Sequence, residues 1–277
     1  MPTQAETAAA FAELHRREGT FIIPNPWDVG SACLLAHAGF EALATSSAGY
    51  AFSIGKADGQ VGRDQTIAHA AEVVAATGLP VSIDLENGFG DAPEDAAETI
   101  RLAATSGAVG GSIEDRTRRT EDPIYDRVLA AERIRAAAEV VQSLPFPFML
   151  TARAENYLVG KPDLKDTIER LQMYQEAGAN VLYAPGLTTR DEITTLISSV
   201  DRPVNVLMGI KGVQLTLADL TAMGVKRISV GSTLARVALG AFLRAAHEMK
   251  DEGTFGFIDD AADSRMINSI FASLAKR

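Results

Sequence analysis

A single cysteine, Cys33, in 277 residues excludes an intrachain disulfide, which fits a reducing compartment. Clusters of cysteine or histidine are missing as well, and that argues against zinc or copper. There is no basic tract. With 36 acidic against 26 basic residues and a formal net charge of −10, nucleic acid and anionic membrane are poor partners. No apolar run is long enough to span a bilayer. The first residues, MPTQAETAAAFAELHRREG, lack the apolar stretch of a signal peptide and read as an amphipathic helix. The expectation is a soluble, cytoplasmic protein. No linker or low-complexity tract divides the chain, so residues 1–277 are read as one domain.

What is present is a regular alternation. Eight short apolar runs are spaced along the chain: FIIPN (21–25), ALATSS (42–47), VSIDLE (81–86), GSIED (111–115), FMLTAR (148–153), VLYAP (181–185), VNVLM (204–208) and RISVG (227–231). Segments of helical periodicity lie between them. Several of these end at a glycine just before the next run, as helix C-caps do. Eight strands alternating with helices over about 250 residues predict an α/β fold, a (β/α)8 TIM-type barrel. The other arrangement with this alternation, a doubly wound open sheet, lacks its dinucleotide fingerprint here, since the first strand leads into NPWDVGSA. Residues 241–277 read as a C-terminal helical extension used in oligomerisation, with an extra helix over 259–276.

Chemistry in such a barrel belongs to the C-terminal ends of the strands, and those ends are rich in acids. Asp84 and Glu86 stand two apart at the end of the third run, where side-chain alternation points both the same way. Asp58 follows the second run, and Glu114 ends the fourth. Grouped carboxylates need a counter-charge, and a hard cation, Mg²⁺ or Mn²⁺, prefers such oxygen ligands. Asp84 is the first choice for direct ligation, with Asp58, Glu86 and Glu114 holding the metal's waters. Arg153 offers a guanidinium fork to a substrate carboxylate; the alternative is a structural ion pair with Glu155 or Glu114. Ser46, with the backbone N–H groups of Ser47 and Ala48, can cradle a carboxylate or an enolate oxygen. Asn205 faces the same rim from the seventh run. The four histidines, His15, His37, His69 and His247, fall in helical segments and read as surface or packing residues. Cys33 reads as inert core.

Taken in order, IPNPWDVGSA, TSSAGYA, KADG, IDLENGFG, GGSIED and LTARAE resemble the isocitrate lyase/phosphoenolpyruvate mutase superfamily over most of residues 20–240. The resemblance implies a (β/α)8 barrel whose last helix is exchanged between subunits of a homodimer or homotetramer. It also implies Mg²⁺ and a small 2-oxo or 2-hydroxy carboxylate substrate, handled through a pyruvyl enolate. Matched motif by motif, Asp84 and Glu86 are the acids of the metal motif, Glu114 the acid of the fourth strand and Asp58 the loop aspartate. Arg153 is the strand-5 arginine, and Ser46 with Ser47 and Ala48 holds the substrate oxygen. Arg153, Glu114 and Ser46 are thereby the catalytic candidates. Ser46, Ser47, Ala48, Asp84, Arg153 and Asn205 are the substrate-binding ones.

One departure narrows the reading. Isocitrate and methylisocitrate lyases resemble each other in a cysteine-bearing K-(K/R)-C-G-H loop after strand 4, where this chain reads RTRRTEDPIYDR. The lysine-bearing loop of the mutases is missing too. Metal and enolate machinery remains, which suits C–C cleavage by decarboxylation or retro-aldol chemistry, with Tyr50, Glu155 or a water as base. Arg116, Arg118 and Arg119 in the altered loop are either receptors for a second carboxylate or a solvated charge run. The alternatives are P–C bond chemistry of the phosphonopyruvate type, a non-catalytic 2-oxo-acid-binding barrel, and a sugar-phosphate site at GIKG (209–212) and Gly231-Ser232.

Overall fold

The structure is a computed structural model and describes residues 2–274. Its eight strands are β1 (Phe21–Ile22), β2 (Leu43–Ala44), β3 (Val81–Asp84), β4 (Gly110–Glu114), β5 (Met149–Arg153), β6 (Val181–Tyr183), β7 (Val204–Leu207) and β8 (Arg227–Ser229). Each falls inside or within one residue of its expected run. The helices before the fourth strand are α1 (Gln4–Arg16), α2 (Val29–His37), α3 (Ser47–Ser53), α4 (Arg63–Thr77) and α5 (Pro93–Thr105). After it come α6 (Arg127–Ser143), α7 (Leu164–Glu176), α8 (Arg190–Ser198), α9 (Leu217–Ala222), α10 (Thr233–His247) and α11 (Ser264–Leu274).

All pairings are parallel, in the order β1-β8-β7-β6-β5-β4-β3-β2. A hydrogen bond from the Ala44 N–H to the Pro24 carbonyl, 3.0 Å, ties β2 to the chain just after β1. The sheet therefore curls into the expected (β/α)8 barrel. Residues on the outer face of the strands, such as Ile83, Ile113, Leu150 and Leu182, are fully buried with Ile100, Ile134 and Leu171 of the surrounding helices. Burying each such side chain contributes about 1.5–3 kcal/mol. The inner face is different: Ser82, Ser112, Thr151, Asn205, Arg227 and Ser229 are all buried and polar.

The lower mouth is closed by α1, as its amphipathic pattern allows. Phe11, Ala8 and Leu14 pack on Phe21, Ile23 and Val109. A Cβ on Gly110 would sit 2.9 Å from the Phe11 ring, so glycine at that position is what admits the plug. His15 lies in this packing and His69 lies under α3, both buried; His37 and His247 are exposed. Cys33 is buried, as expected of an inert thiol.

The C-terminal end differs from expectation in its boundaries. The helix α10 begins before residue 241 and runs straight through it. Within it only Ala235 is buried, and Val237, Phe242 and Leu243 stand 63%, 69% and 54% exposed. The expected extra helix over 259–276 is α11, which starts at Ser264, and residues 275–277 lie outside the described residues. It packs on α2 of its own chain, where the Phe271 ring approaches Gly30. No helix among the described residues is long and apolar enough to cross a membrane.

Candidate active site

Two cavities open at the C-terminal ends of the strands, one of about 610 Å³ and a deeper one of about 190 Å³. They share Ser47, Asp58, Arg153 and Leu158 in their walls and so form one continuous space. The strand ends deliver Asp84, Glu114 and Arg153 to its centre. Register places Glu114 beside Arg153 and Asp84 beside Ser112.

Arg153 is the hub. Its Nη1 donates to Asp84 Oδ1 at 2.9 Å, its Nε and Nη2 donate to Glu155 Oε1 at 3.1 and 2.8 Å, and Nη2 lies 3.1 Å from Glu114 Oε2. The guanidinium also lies over the Tyr183 ring, 5.2 Å from its centroid. Burial alone would lower the pKa of Arg153, but Glu155, Glu114 and Asp84 together hold it well above the ordinary range. The fork expected to be free for a substrate is thus engaged by three carboxylates. This is the ion-pair alternative, and it follows from the crowding of acids around one cation.

Asp84 accepts from every side. Besides Arg153 it takes the Ser47 N–H and hydroxyl on Oδ2, at 3.1 and 2.8 Å, and the Glu86 N–H on Oδ1, at 3.3 Å. The Ser47 N–H, expected to face the substrate, is therefore committed to Asp84. Ser46 is buried, and its hydroxyl caps α3 by accepting the Gly49 N–H at 3.2 Å. Ala48 and Asp58 line the deeper cavity, and Asp58 lines the wider one too. Asn205 lines the deeper cavity too. It is buried below the rim, with its amide oxygen accepting from Arg227 Nε at 2.9 Å and its NH₂ donating to Ser229 at 2.9 Å. Tyr50 stacks on His69 with ring centroids 3.9 Å apart and lines neither cavity.

Glu86 reaches the wider cavity by a route that strand alternation does not describe. The strand β3 ends at Asp84, and Glu86 takes φ +47°, followed by Gly88 at +78° and Phe89 at +61°. Left-handed backbone at two non-glycine residues is strained and persists only where its surroundings enforce it. Arg133 of α6, 1% exposed, does so. It donates to the carbonyls of Asn87, Gly90 and Ala92, and its guanidinium lies 4.5 Å from the Tyr125 ring centroid. Sequence reading passed over Arg133 because α6 is rich in alanine and charge. The signal was its place on the stripe of Ala130, Ile134 and Ala137, all buried.

The loop after β4 forms the far wall of the wider cavity. Arg118 pairs with Glu86 at 3.0 Å, and Arg119 pairs with Asp91 at 2.6 Å. Arg116, exposed on the same wall, has no ion-pair partner among the described residues. Burial, and secondarily Asp84, pushes the Glu86 carboxyl up to about 7. Burial likewise raises Glu114 well above the usual carboxylate range, against the pull of Arg153.

These donors fit a hard divalent cation. All are oxygens, and Glu86 Oε1 is buried without a hydrogen-bond donor. Among the described residues no three such side chains are preassembled as a ligand cluster. Mg²⁺ does not demand one, because it keeps several waters and takes one or two carboxylates.

Comparison with known proteins agrees with this geometry. A family profile described as phosphoenolpyruvate phosphomutase matches residues 11–250. A crystal structure from Burkholderia cenocepacia J2315, provisionally described as a lyase/mutase, is 62% identical, covers 97% of each chain and superposes with a TM-score of 0.96. The crystal structure of a 2,3-dimethylmalate lyase is 25% identical, with 98% of this chain and 95% of that one covered and a TM-score of 0.83. An uncharacterized protein of Mycobacterium tuberculosis (strain ATCC 25618 / H37Rv) is 35% identical, over 87% of this chain and 89% of its own. A 2-methylisocitrate lyase of Halalkalibacterium halodurans is 29% identical, over 91% of this chain and 85% of its own. The chain belongs to the phosphoenolpyruvate phosphomutase family, within the isocitrate lyase/phosphoenolpyruvate mutase superfamily.

Proposed function

We propose that this chain is a Mg²⁺-dependent lyase, with Mn²⁺ as a substitute, that cleaves a C–C bond in a small 2-oxo or 2-hydroxy carboxylate. The observation that carries the reading is the cluster of Asp84, Glu114 and Glu155 around Arg153, with Glu86 paired to Arg118 in the wall of the wider cavity. Burial holds Glu86 and Glu114 toward the protonated form, which marks a site short of positive charge. A bound Mg²⁺ would supply that charge and stabilise the enolate oxygen that C–C cleavage creates. Asp84 is the residue to ligate it, with Asp58, Glu86 and Glu114 taking its waters. The Ala48 N–H orients the 2-oxo or 2-hydroxy acid end, and Arg153 fixes the carboxylates around it. Arg116, free of any carboxylate, is the receptor for a second carboxylate on the substrate. The loop that carries it keeps bulk water from the bond being broken.

Oxalate mimics a pyruvyl enolate and tests the reading by calorimetry of chelator-treated protein. We expect binding at least about tenfold tighter with Mg²⁺ than without. Absence of binding in both conditions would sink the proposal. The family description also favours a second reading, P–C bond chemistry. Release of phosphate from phosphonopyruvate, with no cleavage of 2-hydroxy diacids, would replace the first reading by the second.

The exposed apolar face of α10 supports a homodimer or homotetramer. Patches of this kind are uncommon on monomers. Light scattering at micromolar concentration is expected to give two or four times the chain mass, and a monomer would remove this part of the reading.

A further inference from the structure

We propose that the interior of the barrel, one side-chain layer below the carboxylate cluster, holds a small monovalent anion of the halide or carboxylate class against the Arg227 guanidinium. Barrel interiors of this fold are ordinarily filled with branched apolar side chains. Here the cavity of about 190 Å³ that Asp58, Asp84 and Arg153 line also has Asn205, Arg227 and Ser229 in its wall. That is room for several water-sized groups.

Arg227 is 4% exposed. Its Nε donates to Asn205 Oδ1 at 2.9 Å and its Nη2 to Thr151 Oγ1 at 3.0 Å, both neutral acceptors. Nη1 has no hydrogen-bond acceptor among the described residues. Among the described residues no carboxylate lies within ion-pair distance of it, since Asp84, Glu114 and Glu155 are all given to Arg153. Thr151 precedes Arg153 by two residues on β5, so the side chain that Arg227 Nη2 reaches lies one inward-facing position below Arg153.

A buried, unpaired guanidinium is costly unless an anion accompanies it. Burial lowers Arg227 to about 10, so it stays charged at neutral pH. The one histidine near it gives no relief: burial, and then Arg227 itself, holds His15 down at about 3. The deeper cavity shares walls with the wider one above, so an anion can arrive from solvent. It can equally be a carboxylate of a larger molecule bound in the site above. The inference does not depend on the lyase reading, because Arg227 is unpaired whatever reaction occurs above it.

The test compares wild type with Arg227→Met in thermal unfolding, replacing bulky sodium gluconate stepwise by chloride or formate at constant ionic strength. Wild type should show a saturable rise of about 3 °C near tenfold excess over the dissociation constant. The variant should show none. Crystals of the wild type soaked in bromide provide a readout that needs no variant: an anomalous peak beside Arg227 supports a free halide. If halide and formate have no effect, but a four-carbon dicarboxylate binds at least about tenfold more weakly to the variant while oxalate is unaffected, the occupant is the far carboxylate of that molecule. Equal responses of the two proteins to every anion, with no bromide peak, overturn the proposal. Failure of oxalate to bind wild type would count against the lyase reading alone.

Discussion

Replacing Asp84 with alanine is expected to lower kcat/KM by about a thousandfold and to abolish Mg²⁺-dependent oxalate binding. Asp84 joins three separate parts of the site: the hub arginine, the first turn of α3 and the backbone of the strained Glu86 turn. All four of its acceptor positions are in use, counting the Ser47 hydroxyl. Of these donors the hydroxyl is the one that can turn away at least cost, and its departure opens a position for a cation. Without the carboxylate, the cation loses its direct ligand and Arg153 loses one of three acids that fix its plane. The variant still folds in this account, because Glu114 and Glu155 continue to neutralise Arg153. Loss of the Ser47 and Glu86 hydrogen bonds costs about 1–3 kcal/mol. Calorimetry with oxalate, together with a melting curve, separates a damaged site from a damaged fold. A folded Asp84→Ala protein that bound Mg²⁺ and oxalate as wild type does would refute the assignment. Asp84→Asn sharpens the result: it keeps the size but removes the charge and turns one acceptor oxygen into an NH₂ donor, so it should fold and fail in the same assay.

The barrel was legible in the sequence because its signals are local. Each strand is a short apolar run, and glycine closes several of the helices that lead into the next one. The candidate site was legible as a set of residues, since strand ends name their own occupants: Asp84, Glu114 and Arg153 follow from the runs that end in them. What those residues do to one another was not legible. Whether Arg153 faces a substrate or three acids depends on Glu155 and Asp84, which come from the same strand end and from a strand two places away. Asn205 lines the deeper cavity, but its capture by Arg227 through the amide oxygen could not be read from its own run. Glu86 was placed correctly beside the cavity on a premise that fails, because alternation stops with β3 at Asp84 and a left-handed turn presents the side chain instead. Long-range capture of a side chain leaves no local pattern, which is also why Arg227 was passed over.

That left-handed turn gives the other large effect. Replacing Arg133 with methionine is expected to cost about 3–5 kcal/mol of stability. Arg133 is buried without a carboxylate partner, and three backbone carbonyls of the segment after β3 take its hydrogen bonds instead. Methionine fills similar space but donates nothing, so those carbonyls lose a donor, the Asn87 carbonyl in the buried interior. The Tyr125 ring loses a cation from its face at the same time, and Tyr125 also donates to Asp91 at 2.6 Å. With the clamp gone, Glu86 and Phe89 are free to leave positive φ, and Glu86 moves away from the cavity. Catalysis should fall with stability, and kcat should fall more than KM rises, because Arg133 itself lines neither cavity and acts through the turn that carries Glu86. Urea unfolding gives the stability change from the midpoint at unchanged slope. Arg135→Ala, two residues along the same helix and exposed, should shift stability by no more than about 0.5 kcal/mol. If Arg133→Met unfolded at the same urea concentration as that control, the strained turn would have to be held by its own sequence. Gly88 and the Asn87 side chain, which accepts the Phe89 N–H at 3.1 Å, would then be the residues that hold it.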